Sequence, residues 1–179
     1  MKRYQDLDIY TDGKDILEFV AGVENRMKDD IRWHRHVGME DHLLGEPTFG
    51  FERKADDRVP HAGLSLFHKE QTTWYVPNIV PLTGNSLSLE KYNVILQEFY
   101  HTFALPVCNN MDIVCALSSD EISAADIVGK EGAERLRLFS LGANKSTGSS
   151  HPSDRARWYD FILSVCPSRD VDTGYLERL

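Results

Sequence analysis

Thr48-Phe49-Gly50-Phe51-Glu52-Arg53, Gly63-Leu64-Ser65-Leu66-Phe67-His68 and Thr72-Thr73-Trp74-Tyr75-Val76 decide the fold class. Each is a short run rich in aromatic, β-branched or aliphatic residues, the composition that suits a pleated, half-buried surface. Only Lys69-Glu70-Gln71 separates the second run from the third, a spacing that predicts an antiparallel hairpin. Upstream, residues 31–37 alternate well enough for another strand, with Trp33 and Val37 toward the core and Arg35 breaking the pattern. Pro77 and Pro81 bracket Asn78-Ile79-Val80 and end regular pairing or confine it to an edge.

Helical periodicity surrounds this block. Ile16, Phe19, Val20, Val23 and Met27 fall on one helix face, with Thr11 or Asp12 as the expected cap. Ser88 is the expected cap of a second helix through about Phe103, with the stripe Tyr92, Ile95, Leu96, Phe99 and Phe103. Pro106 and the Asn109-Asn110 turn are expected to end it, and residues 112–117 read as a buried strand. Ser123-Ala124-Ala125-Asp126 has capping-box spacing, with Asp in place of Glu or Gln. Gly129 divides a short helix from one over 130–141, and Pro152 suits the first turn of a last helix striped by Trp158, Phe161, Ile162 and Val165. Strands early and helices late predict one α+β domain over residues 1–179. The expected architecture is a mostly antiparallel sheet of about four to five strands with four to five helices, the helices concentrated in the C-terminal half.

Charge bounds the function. The 179 residues carry 20 Lys and Arg against 28 Asp and Glu, a net −8. Residues 1–60 hold 10 basic and 14 acidic side chains, residues 61–125 hold 2 and 6, and residues 126–179 hold 8 and 8. The charge-poor middle reads as core. A pI near 5.3 argues against a nucleic-acid binder, which needs clustered Lys and Arg, and permits a basic partner drawn in by the acidic surface. No apolar run reaches membrane-spanning length, and residues 1–8 lack the apolar stretch of a secretory signal. Three cysteines at spacings matching no zinc or redox motif point to a reducing, cytoplasmic setting. Cys115 and Cys166 read as core residues and Cys108 as the accessible one, with His101, seven residues away, as a candidate base for a thiol nucleophile whose geometry the sequence does not fix.

Three constellations point toward chemistry. His34 and His36, two apart on a strand, share a face, and His42 or Asp41 is placed to add a third metal ligand. The same residues also suit the solvated face of a half-buried strand. The loop 142–150 and the helix start after it gather Lys145, Ser149, Ser150, Arg155 and Arg157, the one locally basic stretch, which suits a phosphate or other anion. Its spacing is not that of a phosphate-binding P-loop. A serine-based triad lacks the Gly-x-Ser-x-Gly elbow, and Asp29-Asp30 and Asp56-Asp57 read as solvated turns. Trp33, Trp74, Tyr75 and Trp158 are residue types that anchor interfaces as well as cores. The expected function is a small acidic cytoplasmic protein-interaction module, of immunity or antitoxin type, that binds a basic protein partner. The alternative is an enzyme or ligand-binding protein using the anion site or a histidine metal site.

Overall fold

Strand β4 (Glu46–Arg53) pairs antiparallel with β5 (Ala62–Glu70), setting Phe51 opposite Leu64 and Phe49 opposite Leu66. One side of this ladder is therefore apolar, and these four side chains are at most 3% exposed. The computed structural model describes residues 1–40, 42–43, 46–70, 72–84, 86–142 and 152–165. The chain divides into two compact units, residues 2–120 and a second formed by Met1 with residues 121–179.

In the first unit β1 (Leu7–Tyr10), β2 (Trp33–Arg35), β6 (Thr73–Tyr75) and β8 (Val114–Leu117) join β4 and β5 in the order β2-β4-β5-β6-β1-β8. Two short strands, β3 (His42–Leu43) on β4 and β7 (Ile79–Pro81) on β5, bring the sheet to eight. All pairings are antiparallel. The fold is α+β, as the sequence predicts. The sheet has more strands than expected because β1, β3 and β7, of two to four residues each, are too short to stand out by alternation. Val37 also departs from expectation. The strand stops at Arg35, a 3₁₀ turn over Val37–Met39 follows, and Val37 is exposed.

Helices α1 (Ile16–Met27), α2 (Leu89–Phe99) and α3 (Leu105–Met111) supply the other half of the core. Phe19, Val20, Val23, Ile95, Leu96, Phe99 and Val107 are buried with Leu7, Ile9 and Trp33 of the sheet. The cap of α1 is Asp15, which accepts from the Leu17 N–H at 2.8 Å. Asp12 has a left-handed φ of 48° in the preceding turn, which rules out the extended backbone of an N-cap.

Pro106 does not end the second helix. A π-helical turn over Tyr100–Ala104 leads into α3 with Pro106 in its first turn. Proline leaves the carbonyl four residues back without its helical donor. That carbonyl, Thr102, accepts from Arg26 of α1 at 3.2 Å. The helix ends instead at Asp112, in the left-handed region at φ 52°. Beyond it β8 is an edge strand with Val114 57% exposed, not the buried strand its apolar composition suggests.

The second unit contains α4 (Ala124–Gly142) and α5 (Pro152–Val165). The capping box is formed: Asp126 accepts from the Ser123 N–H at 2.8 Å, and Ser123 Oγ accepts from the Asp126 N–H at 3.3 Å. Gly129, at φ 74° and ψ 166°, breaks α4 where expected. Trp158 packs on Phe139 at 5.5 Å and on Phe161 at 5.2 Å, joining the helices. Among the described residues no helix is long and apolar enough to cross a membrane.

One charge is fully inside. Arg53, 1% exposed at the end of β4, donates to Glu98 of α2 at 2.9 Å and to Asp56 at 2.6 Å. Arg32 pairs with the same Glu98 at 2.9 Å. Asp56 also accepts from the backbone N–H groups of Arg58 and Val59, and Asp30 accepts from those of Arg32 and Trp33. Asp30 and Asp56 are thus internal anchors of turns, which corrects their reading as solvated charges. Arg53→Ala leaves two carboxylates without their shared cation and is expected to lower the unfolding free energy by about 3–5 kcal/mol. Urea denaturation measures this. The neighbouring exposed Lys54→Ala is expected to shift it by less than about 0.5 kcal/mol.

Candidate functional site

Register brings a histidine cluster together on the sheet face away from α1, α2 and α3. Trp33 and Arg35 lie opposite Arg53 and Phe51, and His34, between them, lies opposite Glu52. Strand alternation therefore turns His34 and Glu52 to the other side. His36 joins them, its N–H bonded to the Gly50 carbonyl at 2.9 Å. His34 Nε2 and His36 Nε2 each stand 3.4 Å from Glu52 Oε2, and His61 Nε2, just before β5, hydrogen-bonds Oε1 at 2.6 Å. Three imidazoles thus surround one carboxylate that is only 12% exposed.

Two glycines and one ion pair hold this arrangement. A Cβ at Gly63 would fall 2.4 Å from Met39 Cε, and one at Gly50 would fall 2.7 Å from Met39 Cβ. At Gly50, where the His36 carbonyl would also lie 2.8 Å from a Cβ, only bare backbone lets the turn carrying His36 and Met39 lie flat on β4, whereas at Gly63 the movable end of Met39 would have to shift. Glu40, which follows Met39, accepts twice from Arg35, at 2.7 and 2.9 Å, and so fastens the turn to β2. Burial raises the Glu52 carboxyl, but the His61 hydrogen bond and the fields of His34, His61 and His36 outweigh it, leaving Glu52 below its ordinary value. The hydrogen bond from Arg35 likewise lowers Glu40.

The expectation that His34 and His36 share a face agrees with these positions. Sequence reasoning missed Glu52 and His61, which enter through strand register. The available signal was a lone acid at an outward position of an aromatic strand. The His42 side chain lies outside the described residues, as does Asp41. Ligands of one tetrahedral ion at about 2.0–2.1 Å stand roughly 3.3 Å from each other. The His61–Glu52 separation of 2.6 Å is instead that of two atoms sharing a proton. Among the described residues no group of three or more His, Cys, Asp or Glu is arranged to hold a metal ion. What the geometry offers is one fixed carboxylate with three imidazole nitrogens within 3.4 Å of its oxygens.

A second feature lies at the other end of the sheet. Thr11 N–H and Oγ1 both donate to the Thr72 carbonyl, at 2.9 and 3.0 Å, and Lys14 Nζ donates to the carbonyls of Met111 and Asp112. These bonds gather three turns, and with them the exposed carboxylates of Asp12, Asp15, Glu70 and Asp112. Leu17 and Val114, each 57% exposed, stand at the same end. The result is an acidic rim with two aliphatic side chains in it.

The other expected site residues do not assemble in the same way. Lys145, Ser149 and Ser150 fall outside the described residues. Arg155 and Arg157, two apart on α5, point to nearly opposite sides of the helix. Arg155 packs on Tyr159 with its guanidinium 5.9 Å from the ring, whereas Arg157 donates to the Gly142 carbonyl at 3.2 Å. Cys108 is fully buried, contrary to its reading as accessible. Its hydrogen bond with Cys115 and its burial hold the thiol well above the ordinary range, so it is no nucleophile. Cys115 is half-buried, and Cys166 lies outside the described residues. Trp33 and Trp74 are core residues, while Trp158 is 41% exposed.

These features define an α+β protein with an acidic rim and a histidine–carboxylate cluster on its sheet. No family model, curated protein or solved structure matches the chain.

The lowered carboxyls of Glu52, Glu40 and Asp56 fix the sign of the acid response. Their contribution to stability is complete above the unfolded-state carboxyl range, about pH 4–5, and is lost as the pH falls through the lower folded-state values. Glu52→Gln is expected to reduce this acid-side slope and to cost about 1–2 kcal/mol at neutral pH. Denaturation measured at a series of pH values checks both.

Proposed function

We propose that the protein is an interaction module that binds a basic protein partner through the acidic rim. The observation that carries the reading is the gathering of Asp12, Asp15, Glu70 and Asp112 around exposed Leu17 and Val114. Aliphatic contacts supply affinity at such a surface, and the surrounding charge supplies orientation and association rate.

Charge accounting supports the sign of the partner. Residues 2–120 contain 12 Lys and Arg and 19 Asp and Glu, so this unit carries −7 of the net −8. Its buried or half-buried arginines are used internally: Arg53 and Arg32 bind Glu98, and Arg35 binds Glu40 and Glu24. The uncompensated charge is therefore acid at the surface. In its specific form the proposal is an immunity- or antitoxin-type protein acting in the cytoplasm, its acidic rim covering a basic working surface on the bound protein.

Partners captured by the tagged chain provide the test. The captured protein is expected to be basic, and its association rate is expected to fall between about 20 and about 200 mM salt. Asp12→Lys, Glu70→Lys and Asp112→Lys together are expected to slow association about tenfold at the lower salt. An acidic partner, or an association rate that the triple variant leaves unchanged, overturns the reading.

A further inference from the structure

The second unit carries a groove of different chemistry. It encloses about 270 Å³ between α4 and α5 and is lined by Arg135, Leu138, Phe139, Arg157, Asp160 and Phe161. Helix periodicity produces it. Arg135, Leu138 and Phe139 fall at i, i+3 and i+4 on α4, and Arg157, Asp160 and Phe161 repeat that spacing on α5. Trp158 packs between Phe139 and Phe161, which places those two rings side by side in an apolar floor.

The two arginines are only partly used. Arg135 spends one nitrogen on Glu131, at 2.9 Å. Arg157 spends one nitrogen on the Gly142 carbonyl and on Asp154, at 3.2 and 3.4 Å. Their remaining donors have no partner among the described residues, and Asp160 forms no ion pair with either guanidinium. The lining thus has two cations, one anion and three apolar side chains, with several N–H donors free.

From this we infer a binding site for a small amphipathic anion. Its carboxylate, sulfonate or phosphate head would be held by Arg135 and Arg157, and its apolar body would lie on Leu138, Phe139 and Phe161. Guanidinium forks suit such head groups because each offers parallel donors in a fixed plane. A volume of about 270 Å³ lies just below the usual range of ligand sites and limits the body to about three rings. The site differs from the anion site read in the sequence. It keeps Arg157, excludes Arg155, and gains Arg135 from the preceding helix.

Anilinonaphthalene sulfonate, an aromatic monoanion, is the probe. Fluorescence titration of the full chain is expected to show one saturable site. Arg135→Gln with Arg157→Gln is expected to weaken it at least about tenfold, and Asp160→Asn to tighten it. Arg135 and Arg157 have side chains 48% and 55% exposed, so the double variant keeps its fold, which circular dichroism verifies. Arg137→Gln, which removes a neighbouring cation paired with Glu134 outside the groove, is expected to leave affinity unchanged. The inference is overturned if the double variant binds like the original chain. It is also overturned if Arg137→Gln weakens binding equally, or if the uncharged phenylnaphthylamine analogue binds as tightly as the sulfonate.

Discussion

The buried Arg53 guanidinium is the constraint on which the sheet unit depends. An arginine at 1% exposure is tolerable only if its charge is met, and Glu98 and Asp56 meet it from a helix and a turn. Glu98 also binds Arg32, the residue just before β2, so the edge strand and α2 are tied to the end of β4 through one carboxylate. This fixes the register of β2 on β4. Side chains alternate along a strand, so a slip of one residue would turn His34 into the core and Trp33 into solvent. The convergence of His34 with Glu52 is therefore a consequence of how the chain accommodates one internal charge.

Local signals in the sequence were strong enough to place most elements. The apolar stripe from Ile16 to Met27, the Ser88 cap and the Ser123–Asp126 box depend on residues within one or two turns of each other, and all three are present. Failures occur where a distant group changes the local rule. Pro106 reads as a helix end, yet Arg26, far away in sequence, satisfies the carbonyl it frees. Residues 114–117 read as buried because they are apolar, but a sheet edge is defined by the strand that is missing beside it. Half of the histidine pattern was legible, because His34 and His36 are neighbours. Glu52 and His61 were not, because only the β2–β4–β5 pairing brings them there.

The net charge becomes informative once the pairings are known. In the sheet unit Arg32, Arg35 and Arg53 have buried or half-buried carboxylate partners, while Asp12, Asp15, Glu70 and Asp112 stand on turns. The α4–α5 unit is different: its surface cations pair with acids one turn away, as Arg135 does with Glu131 and Arg137 with Glu134. Such exposed pairs contribute little stability. They leave the near-neutral unit without the net charge that the sheet unit carries.

The spacing of the two sheet features limits how one partner could use both. Gly63, the register partner of Glu52, and Glu70 are seven residues apart on β5, a separation of roughly 23 Å along an extended strand. An interface of ordinary size covers about 800 Å² on each partner, a patch roughly 30 Å across. A partner seated on the acidic rim and extending along the helix-free face, past the half-buried ring pair of Phe67 and Tyr75, would reach the histidines. Its basic groups would then meet Glu52, whose carboxylate already has His61 hydrogen-bonded to one oxygen and His34 and His36 beside the other. The rim and the cluster therefore lie within the span of one interface of ordinary size, joined along β5 by the strip that carries Phe67 and Tyr75.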